Sequence, residues 1–329
     1  MMTESTPSSL IEADDNNSDG DSAFEGSVGS ASYQTSINSS IRNYKYENGR
    51  RYHAFREGAY ALPNDEEEQD RMDLLHHVYG MLLDGELTTA PIGKDIKRVL
   101  DLGTGTGIWA VDFASAFPAA EIIGNDLSPI QPGWVPPNLQ FEIDDFEAEW
   151  PYSRPFDYIH GRELAGSVAD FDRLFKQAFN ALKPGGYLEM QSFLIQIFTD
   201  DNTLDKAVHT VPWVNHLQEA SVKFGKPMAN VPEWEDKMIS AGFEDVTCKI
   251  VKVPMSPWPK DRKLKDIGRY MQVEQLQAMP AYTRALLSRI LNWGSEEIEV
   301  LLAHVSAELK DRSIHQYAKV YFLYGRKPL

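Results

Sequence analysis

The segment at residues 98–114, RVLDLGTGTGIWAVDFA, constrains the fold more than any other part of the chain. Its first half is a short apolar run, which is typical of a buried parallel strand. Three alternating glycines follow at Gly103, Gly105 and Gly107, and from Ile108 onward apolar residues recur at helical spacing. The segment therefore predicts a strand, a glycine turn and a helix in succession.

Further apolar strands follow, at residues 121–126, 139–143, 156–160 and 187–191, with a helix before the last of them. This alternation predicts a doubly wound α/β sheet. The last third of the chain is mostly helical and ends in an alternating strand. Since no Pro/Gly/Ser linker interrupts it, we expect one domain over residues 96–329, in which the late helices wall a substrate pocket.

The start of the chain has a different composition. Residues 1–40 are rich in Ser, Asp, Asn and Gly and poor in large apolar residues, so we expect a disordered tail. Residues 41–95 predict an irregular aromatic arm followed by a helix. With Tyr52, Tyr60 and Arg71, this arm could form a lid over a cleft, although its aromatic residues could equally pack at the edge of the core.

Composition excludes several classes of function. A net charge of −17 argues against binding to nucleic acid. The one cysteine rules out a disulfide framework and suits the reducing cytoplasm or nucleus. Without an apolar run of membrane-spanning length, we expect no membrane insertion. His, Cys and acidic residues show no metal-ligand spacing, so we expect an enzyme that needs no metal.

Acidic residues follow three of the predicted strands, at Asp101, Asp126 and Asp145. Asp126 lies where an acid can accept hydrogen bonds from the ribose hydroxyls of a nucleotide cofactor, while glycines let a ligand approach the backbone. The Asp145 carboxylate could accept a hydrogen bond from an adenine amino group, while Phe146 offers the adenine ring an apolar face. The pattern predicts a site for an adenosine-bearing cofactor. A tight turn and a helix cap remain the structural alternative, and the glycine spacing is not the G-x-G-x-x-G of NAD enzymes.

Several motifs resemble those of a known family. The segments VLDLGTGTGIWAVDFA, GNDLSPIQPGWVPPN, FEIDDFEAEW, FDYIH and LKPGGYLE resemble the sequential motifs of class I S-adenosylmethionine-dependent methyltransferases. The segments NGRRYH, YALPNDEEEQDR, MSPWPKD and YGRKP resemble the fungal LaeA-like methyltransferases in particular. The resemblance implies a Rossmann-like α/β fold with a seven-stranded, mostly parallel sheet, an antiparallel last strand and extra C-terminal helices. It also implies S-adenosylmethionine as the cofactor.

The resemblance also implies which residues contact that cofactor. They lie in the glycine turn and after the next two strands: Asp101, Gly103, Thr104, Gly105, Gly107, Asp126, Leu127, Asp145 and Phe146.

Methyl transfer to a weakly acidic nucleophile needs alignment and the removal of a proton. The candidates for this chemistry lie after strand four, on strand five and on the N-terminal helix: His160, Arg162 as an orienting cation, Glu163, Glu189, and His77 or its neighbour His76. Each histidine could instead be a packing residue. The expected acceptor is a small secondary-metabolite-type molecule. The alternative is a regulator of secondary metabolism that acts on or with protein partners, in a velvet-type complex.

Overall fold

The computed structural model describes residues 10–14, 44–47, 49–53, 55–56 and 61–329. Tyr60 and most of the predicted tail lie outside the described residues. The five tail residues within them, 10–14, lie against the C-terminal part of the chain. There Ala13 forms an isolated antiparallel bridge with Pro259, and the Asp14 carboxylate forms an ion pair with Lys265. The division into tail, arm and domain stays a prediction.

Within the described residues, seven strands form one central sheet. In chain order they are β3 (Arg98–Leu102), β4 (Glu121–Asp126), β5 (Leu139–Ile143), β6 (Phe156–Arg162), β7 (Leu182–Phe198), β8 (Glu244–Pro254) and β9 (Tyr317–Arg326), after a separate hairpin of β1 (Lys45–Glu47) and β2 (Arg50–Tyr52). Across the sheet the order is β5-β4-β3-β6-β7-β9-β8. The strands β3 to β7 pair in parallel, whereas β9 is antiparallel to both β7 and β8. The α/β fold with an antiparallel last strand is therefore confirmed.

Helices cover both faces of this sheet. They are α1 (Glu66–Leu82), α2 (Ile108–Ala116), α3 (Phe171–Ala181), α4 (Thr210–Phe224), α5 (Trp234–Ala241), α6 (Arg262–Thr283), α7 (Arg289–Leu291) and α8 (Ser295–Lys310). A π-helical turn, Arg284–Ser288, separates α6 from α7, and 3₁₀ turns lie at Asn202–Lys206 and Val231–Glu233. Helices α1, α4, α6 and α8 share one apolar cluster with β7 and β9, and this layer borders the cleft.

The arm before the sheet is held by the start of α1. Asp65 caps the helix by accepting a hydrogen bond from the backbone N–H of Glu68. The same carboxylate accepts two hydrogen bonds from the Arg50 guanidinium, at 2.6 and 2.8 Å, so the hairpin of β1 and β2 is tied to the helix. Three glutamates in the first turn of α1 match its dipole.

The junction of β3 and α2 requires glycine at position 107. Gly107 precedes α2 with a φ of +81°, a left-handed conformation that L-residues disfavour. A Cβ atom there would lie 2.8 Å from Cε1 of the Phe141 ring on β5. The helix can therefore start directly behind the turn because no side chain separates it from β5.

We predict that Gly107→Ala lowers the free energy of unfolding by about 2–4 kcal/mol, because it combines backbone strain with overpacking against Phe141. Gly80→Ala is the matched control, since Gly80 lies within α1 and an added Cβ would meet no atom within 4 Å. That control should be neutral or stabilising by up to about 1 kcal/mol. Urea denaturation measures both. Equal effects of the two substitutions would contradict the account.

Candidate functional site

A cleft opens at the carboxyl ends of β3, β4 and β6, beneath α1. The glycine turn after β3 forms one wall, and Gly103, Thr104 and Gly105 all line it. A Cβ on Gly105 would lie only 3.1 Å from the sulfur of Met72 on α1, at a φ of +58°. Glycine at this position therefore leaves the backbone bare toward the cleft and lets α1 approach closely.

The Asp126 carboxylate ends β4 and faces the cleft. Its oxygens accept hydrogen bonds from the backbone N–H groups of Gly105, at 2.9 Å, and Ser128, at 2.8 Å. Burial raises the pKa of Asp126 to about 6, although these two hydrogen bonds oppose the rise. Each oxygen keeps acceptor capacity, so the ionised carboxylate can accept hydrogen bonds from a vicinal diol.

An apolar and acidic surface continues from Asp126. Leu127, Asp145 and Phe146 all line the cleft, and Phe146 is buried. Arg56 from the N-terminal arm approaches the Asp145 carboxylate, with Nε 3.5 Å from Oδ2. A flat, partly polar ring fits between such an apolar side chain and a carboxylate acceptor.

Asp101 acts on the cleft through His160. Its carboxylate accepts hydrogen bonds from Thr104 Oγ1 at 2.5 Å and from His160 Nδ1 at 2.7 Å. Burial lowers the pKa of His160, whose ring stacks on Trp109 with centroids 3.7 Å apart. Since a carboxylate only accepts, the ring proton lies on Nδ1. His160 Nε2 is buried and has no hydrogen-bond partner among the described residues, so it offers a free acceptor.

Arg162 is a cation that lines the cleft without an acidic partner. Its Nε donates to Gln191 at 2.9 Å, its Nη1 donates to His76 Nδ1 at 3.0 Å, and its guanidinium lies 4.2 Å from the centroid of the Tyr79 ring. Within the described residues no carboxylate lies within 4 Å of it. Burial lowers its pKa below the ordinary value of an arginine. Such a cation fits an anionic group of a bound ligand.

A second, mostly apolar cavity adjoins the cleft, and we call it the chamber. It is lined chiefly by side chains of β7, α4 and α6: Phe193, Leu194, Ile195, Ile197, Trp213, Val214, Leu217, Gln275 and Ala278. Arg71, Leu75, Glu163 and Tyr282 line both spaces and form the wall between them. The cleft and the chamber are therefore separated by a few side chains only.

Three residues predicted for the site lie away from the cleft. Glu189 is buried, and its carboxylate accepts hydrogen bonds from the backbone of residues 89 and 90 and from Tyr158, so it anchors the chain before β3. The ring of Tyr52 lies beneath the guanidinium of Arg289, at 4.5 Å. Gly107 lies behind the glycine turn, against Phe141.

His77, which was also predicted for the site, likewise lies away from the cleft. It is exposed and packs edge-on against Tyr270, with ring centroids 4.7 Å apart. Its neighbour His76 lines the cleft instead, where it accepts from Arg162 and contacts Asp112. Adjacent helical residues point about 100° apart, so only one of the two can face the site. The roles of His160, Arg162 and the cofactor-binding residues stay predictions.

Arg71 lies in the wall between the cleft and the chamber. There it forms ion pairs that the sequence did not predict. Its Nη1 donates to Glu274 on α6 at 2.5 Å, and its Nη2 donates to Glu68 at 2.6 Å. All three side chains are buried. Burial raises the pKa of Glu274, while Arg71 opposes that rise. The cluster clamps α1 to α6 and so fixes the wall of the cleft.

The described residues contain no group of three or more His, Cys, Asp or Glu side chains that could hold a metal ion. Likewise, none of the helices in the described part of the chain has the length and apolar character needed to cross a membrane.

Comparisons with known proteins show the family of this chain. A family described as a methyltransferase domain matches residues 61–247. The chain is 41% identical to methyltransferase pytC of Aspergillus terreus, over 89% of this chain and 91% of that protein. It is 36% identical to secondary metabolism regulator LAE1 of Cochliobolus heterostrophus, over 86% and 94%. It is 35% identical to protein-methionine methyltransferase laeA of Emericella nidulans, over 89% and 79%.

The cleft also fits the cofactor of this class. It combines backbone left bare by glycine, a carboxylate that can accept from a diol and a cation that forms no ion pair within 4 Å among the described residues. The protein is an S-adenosylmethionine-dependent methyltransferase with the class I fold. Within that class, the chain belongs to the LaeA-like fungal methyltransferases of secondary metabolism.

We predict that Arg71→Met lowers the free energy of unfolding by about 3–5 kcal/mol at pH 7, because it leaves buried Glu274 without a cation and buried Glu68 with only Arg50, at 4.0 Å. The matched variant combines Arg71→Met with Glu68→Gln and Glu274→Gln, and it should recover part of the loss since no buried charge is left unpaired. Urea denaturation at pH 7 compares them. A single variant as stable as the wild type would show that the cluster is not a clamp.

Proposed function

We propose that the cleft holds S-adenosylmethionine with its ribose at Asp126, its adenine beside Asp145 and Phe146, and its carboxylate near Arg162. The proposal rests on the distribution of charge along the cleft, because acceptors for hydroxyl groups lie at one end and at the other lies a cation that forms no ion pair within 4 Å among the described residues. When bound, the cofactor supplies an electrophilic methyl group on a sulfonium centre.

Under this proposal each residue has a defined task. Asp126 accepts hydrogen bonds from the ribose hydroxyls, while Gly105 N–H keeps its carboxylate in place. Asp101 holds His160 in one tautomer, so that Nε2 can accept a hydrogen bond from the ammonium group at the methionine end. Arg56 and α1 close over the cleft and exclude water.

We predict that the affinity for S-adenosylhomocysteine falls as the pH drops through about 6, by up to about tenfold per pH unit, because protonation of Asp126 removes the acceptor that the diol needs. Asp126→Asn should weaken binding by about 10- to 100-fold at pH 8 and remove most of this pH dependence. Calorimetric titration between pH 5 and pH 8 measures both effects. A wild-type affinity that is constant over this range would contradict the assignment of Asp126.

We propose that the methyl acceptor is a small, largely apolar molecule that binds in the chamber. We also propose that the protein acts in the cytoplasm or the nucleus. The observation that carries this proposal is that the cleft and the chamber lie side by side and share the lining residues Arg71, Glu163 and Tyr282. A small molecule in the chamber would lie next to the methionine end of the cleft. Apolar lining favours an acceptor with an apolar body over a charged peptide.

A protein acceptor is the competing outcome. One relative is named a secondary metabolism regulator and another a protein-methionine methyltransferase. The chamber argues against it because its lining comes from the interior of the helical layer, with Trp213, Leu217 and Ala278 all buried. An extended peptide would need an open groove.

We predict that Ala278→Phe, which fills the chamber, reduces methyl transfer to small acceptors by about 100-fold while the affinity for S-adenosylhomocysteine stays within about threefold. The control is Ala303→Phe, on the exposed face of α8. Labelled S-adenosylmethionine is offered with a panel of small aromatic hydroxy and amino compounds, beside purified basic proteins. Equal transfer by the two variants would contradict the chamber. Label found in protein alone would favour the protein acceptor.

A further inference from the structure

Glu163 lies where the cleft and the chamber meet. It directly follows β6 and adopts a φ of +56°, a left-handed conformation that strains a residue other than glycine. Its side chain lines both spaces and also a third, smaller cavity beside them. Strain of this kind at the junction of three cavities points to a functional constraint.

The carboxylate of Glu163 is held by one of its oxygens. Oε1 accepts a short hydrogen bond from the Tyr79 hydroxyl and a second one, at 3.1 Å, from the backbone N–H of Phe193. Among the described residues, no group donates to Oε2. The side chain is therefore fixed in direction while one oxygen stays available to a ligand.

The other acids near the chamber are already engaged. Glu274 lines the chamber, but its oxygens accept hydrogen bonds from Arg71 and Gln275. Glu68, across the same wall, is paired with Arg71. Within the described residues, no Lys or Arg nitrogen lies within 4 Å of Glu163. Glu163 thus combines access to both spaces with freedom from an ion pair.

The charged and titratable groups that face Glu163 come from α1, from α6 and from β6: Arg71, Tyr79, Glu274, Tyr282 and Arg162. Burial raises the pKa of Glu163 to about 7, and Glu274 adds to the rise. The Tyr79 hydroxyl, the Phe193 N–H and Arg71 oppose it. A carboxylate that titrates near neutral pH is suited to take a proton from a weakly acidic group.

We infer that Glu163 is the general base of the reaction and that the acceptor is an apolar molecule carrying a neutral hydroxyl or amino group. This inference rests on the proposed placement of the cofactor and the acceptor. In the transfer, the sulfur–methyl bond breaks and its electron pair stays on sulfur. The acceptor oxygen or nitrogen bonds the methyl carbon, and its proton passes to Oε2 of Glu163.

This role separates two classes of acceptor. A neutral hydroxyl is a weak nucleophile and must lose its proton as it attacks, so it depends on the base. An amine attacks through its lone pair, and the base then accepts the proton of the cation that forms. A thioether carries no proton on sulfur and becomes a sulfonium, so it needs no base. Glu163 therefore promotes transfer most strongly to phenol-like acceptors and less to aniline-like ones, whereas transfer to a thioether gains nothing from it.

The test uses wild type, Glu163→Gln, Tyr79→Phe and the surface control Glu219→Gln, with labelled S-adenosylmethionine and a panel of one- and two-ring phenols, anilines and aryl methyl thioethers. We expect wild type to methylate phenols or anilines with a rate that rises with pH and levels off above about 7. With phenols, Glu163→Gln should lose about 100-fold or more in kcat together with that pH dependence. With anilines the loss should be smaller. Glu219→Gln should match wild type, because Glu219 lies on the exposed side of α4 and pairs with Lys223.

The variant Tyr79→Phe separates a base from a merely structural residue. It removes a hydrogen bond that favours the ionised carboxylate, so the rising limb of the pH profile should move to higher pH. The inference would be overturned if the rising limb of the pH profile did not move in Tyr79→Phe, or if Glu163→Gln kept the wild-type rate. It would also be overturned if wild type methylated only the thioethers, or no member of the panel. S-adenosylhomocysteine binding is measured on every variant by calorimetry. Loss of binding in wild type itself would mark failure of the proposed function rather than of the base.

Discussion

The parallel register between β3 and β6 is the constraint on which the site depends. It places Asp101 beside His160, and β7 continues the row with Glu189. Because these residues are direct neighbours across the sheet, the Asp101 carboxylate meets Nδ1 of His160, while Glu189 turns to the linker before β3. A shift of one residue would turn these side chains to the opposite face of the sheet. The register thus fixes a neutral histidine at the edge of the cleft.

The sequence best predicted those cleft residues that lie at the ends of neighbouring strands. Asp126 ends one strand and Asp145 follows another, yet both line one cleft, because the carboxyl ends of parallel strands meet at a common edge. Gly103 and Gly105 could be predicted for the same reason, since the turn between a buried strand and a helix needs bare backbone. Gly107 in the same motif serves packing against Phe141, and the spacing of glycines cannot show which side of a turn faces a ligand.

The sequence could not predict which way a side chain points from its helix or strand, nor which residues far apart in the chain come into contact. The choice between His76 and His77 is set by how α1 is rotated against its neighbours. Glu189 has a carboxylate that could act as a base, but only the folded chain shows that other groups already donate hydrogen bonds to its oxygens. Arg71 and Glu274 are 203 residues apart, so no local pattern joins them. The wall between cleft and chamber exists only because α1 and α6 pack together.

The most direct test of the account is a crystal structure of the protein with S-adenosylhomocysteine and a methyl acceptor found by screening. The account predicts the ribose hydroxyls on the Asp126 carboxylate, the ligand carboxylate near Arg162, and the nucleophile of the acceptor within hydrogen-bond distance of Glu163. A ribose held away from Asp126, or an acceptor bound outside the chamber, would contradict it.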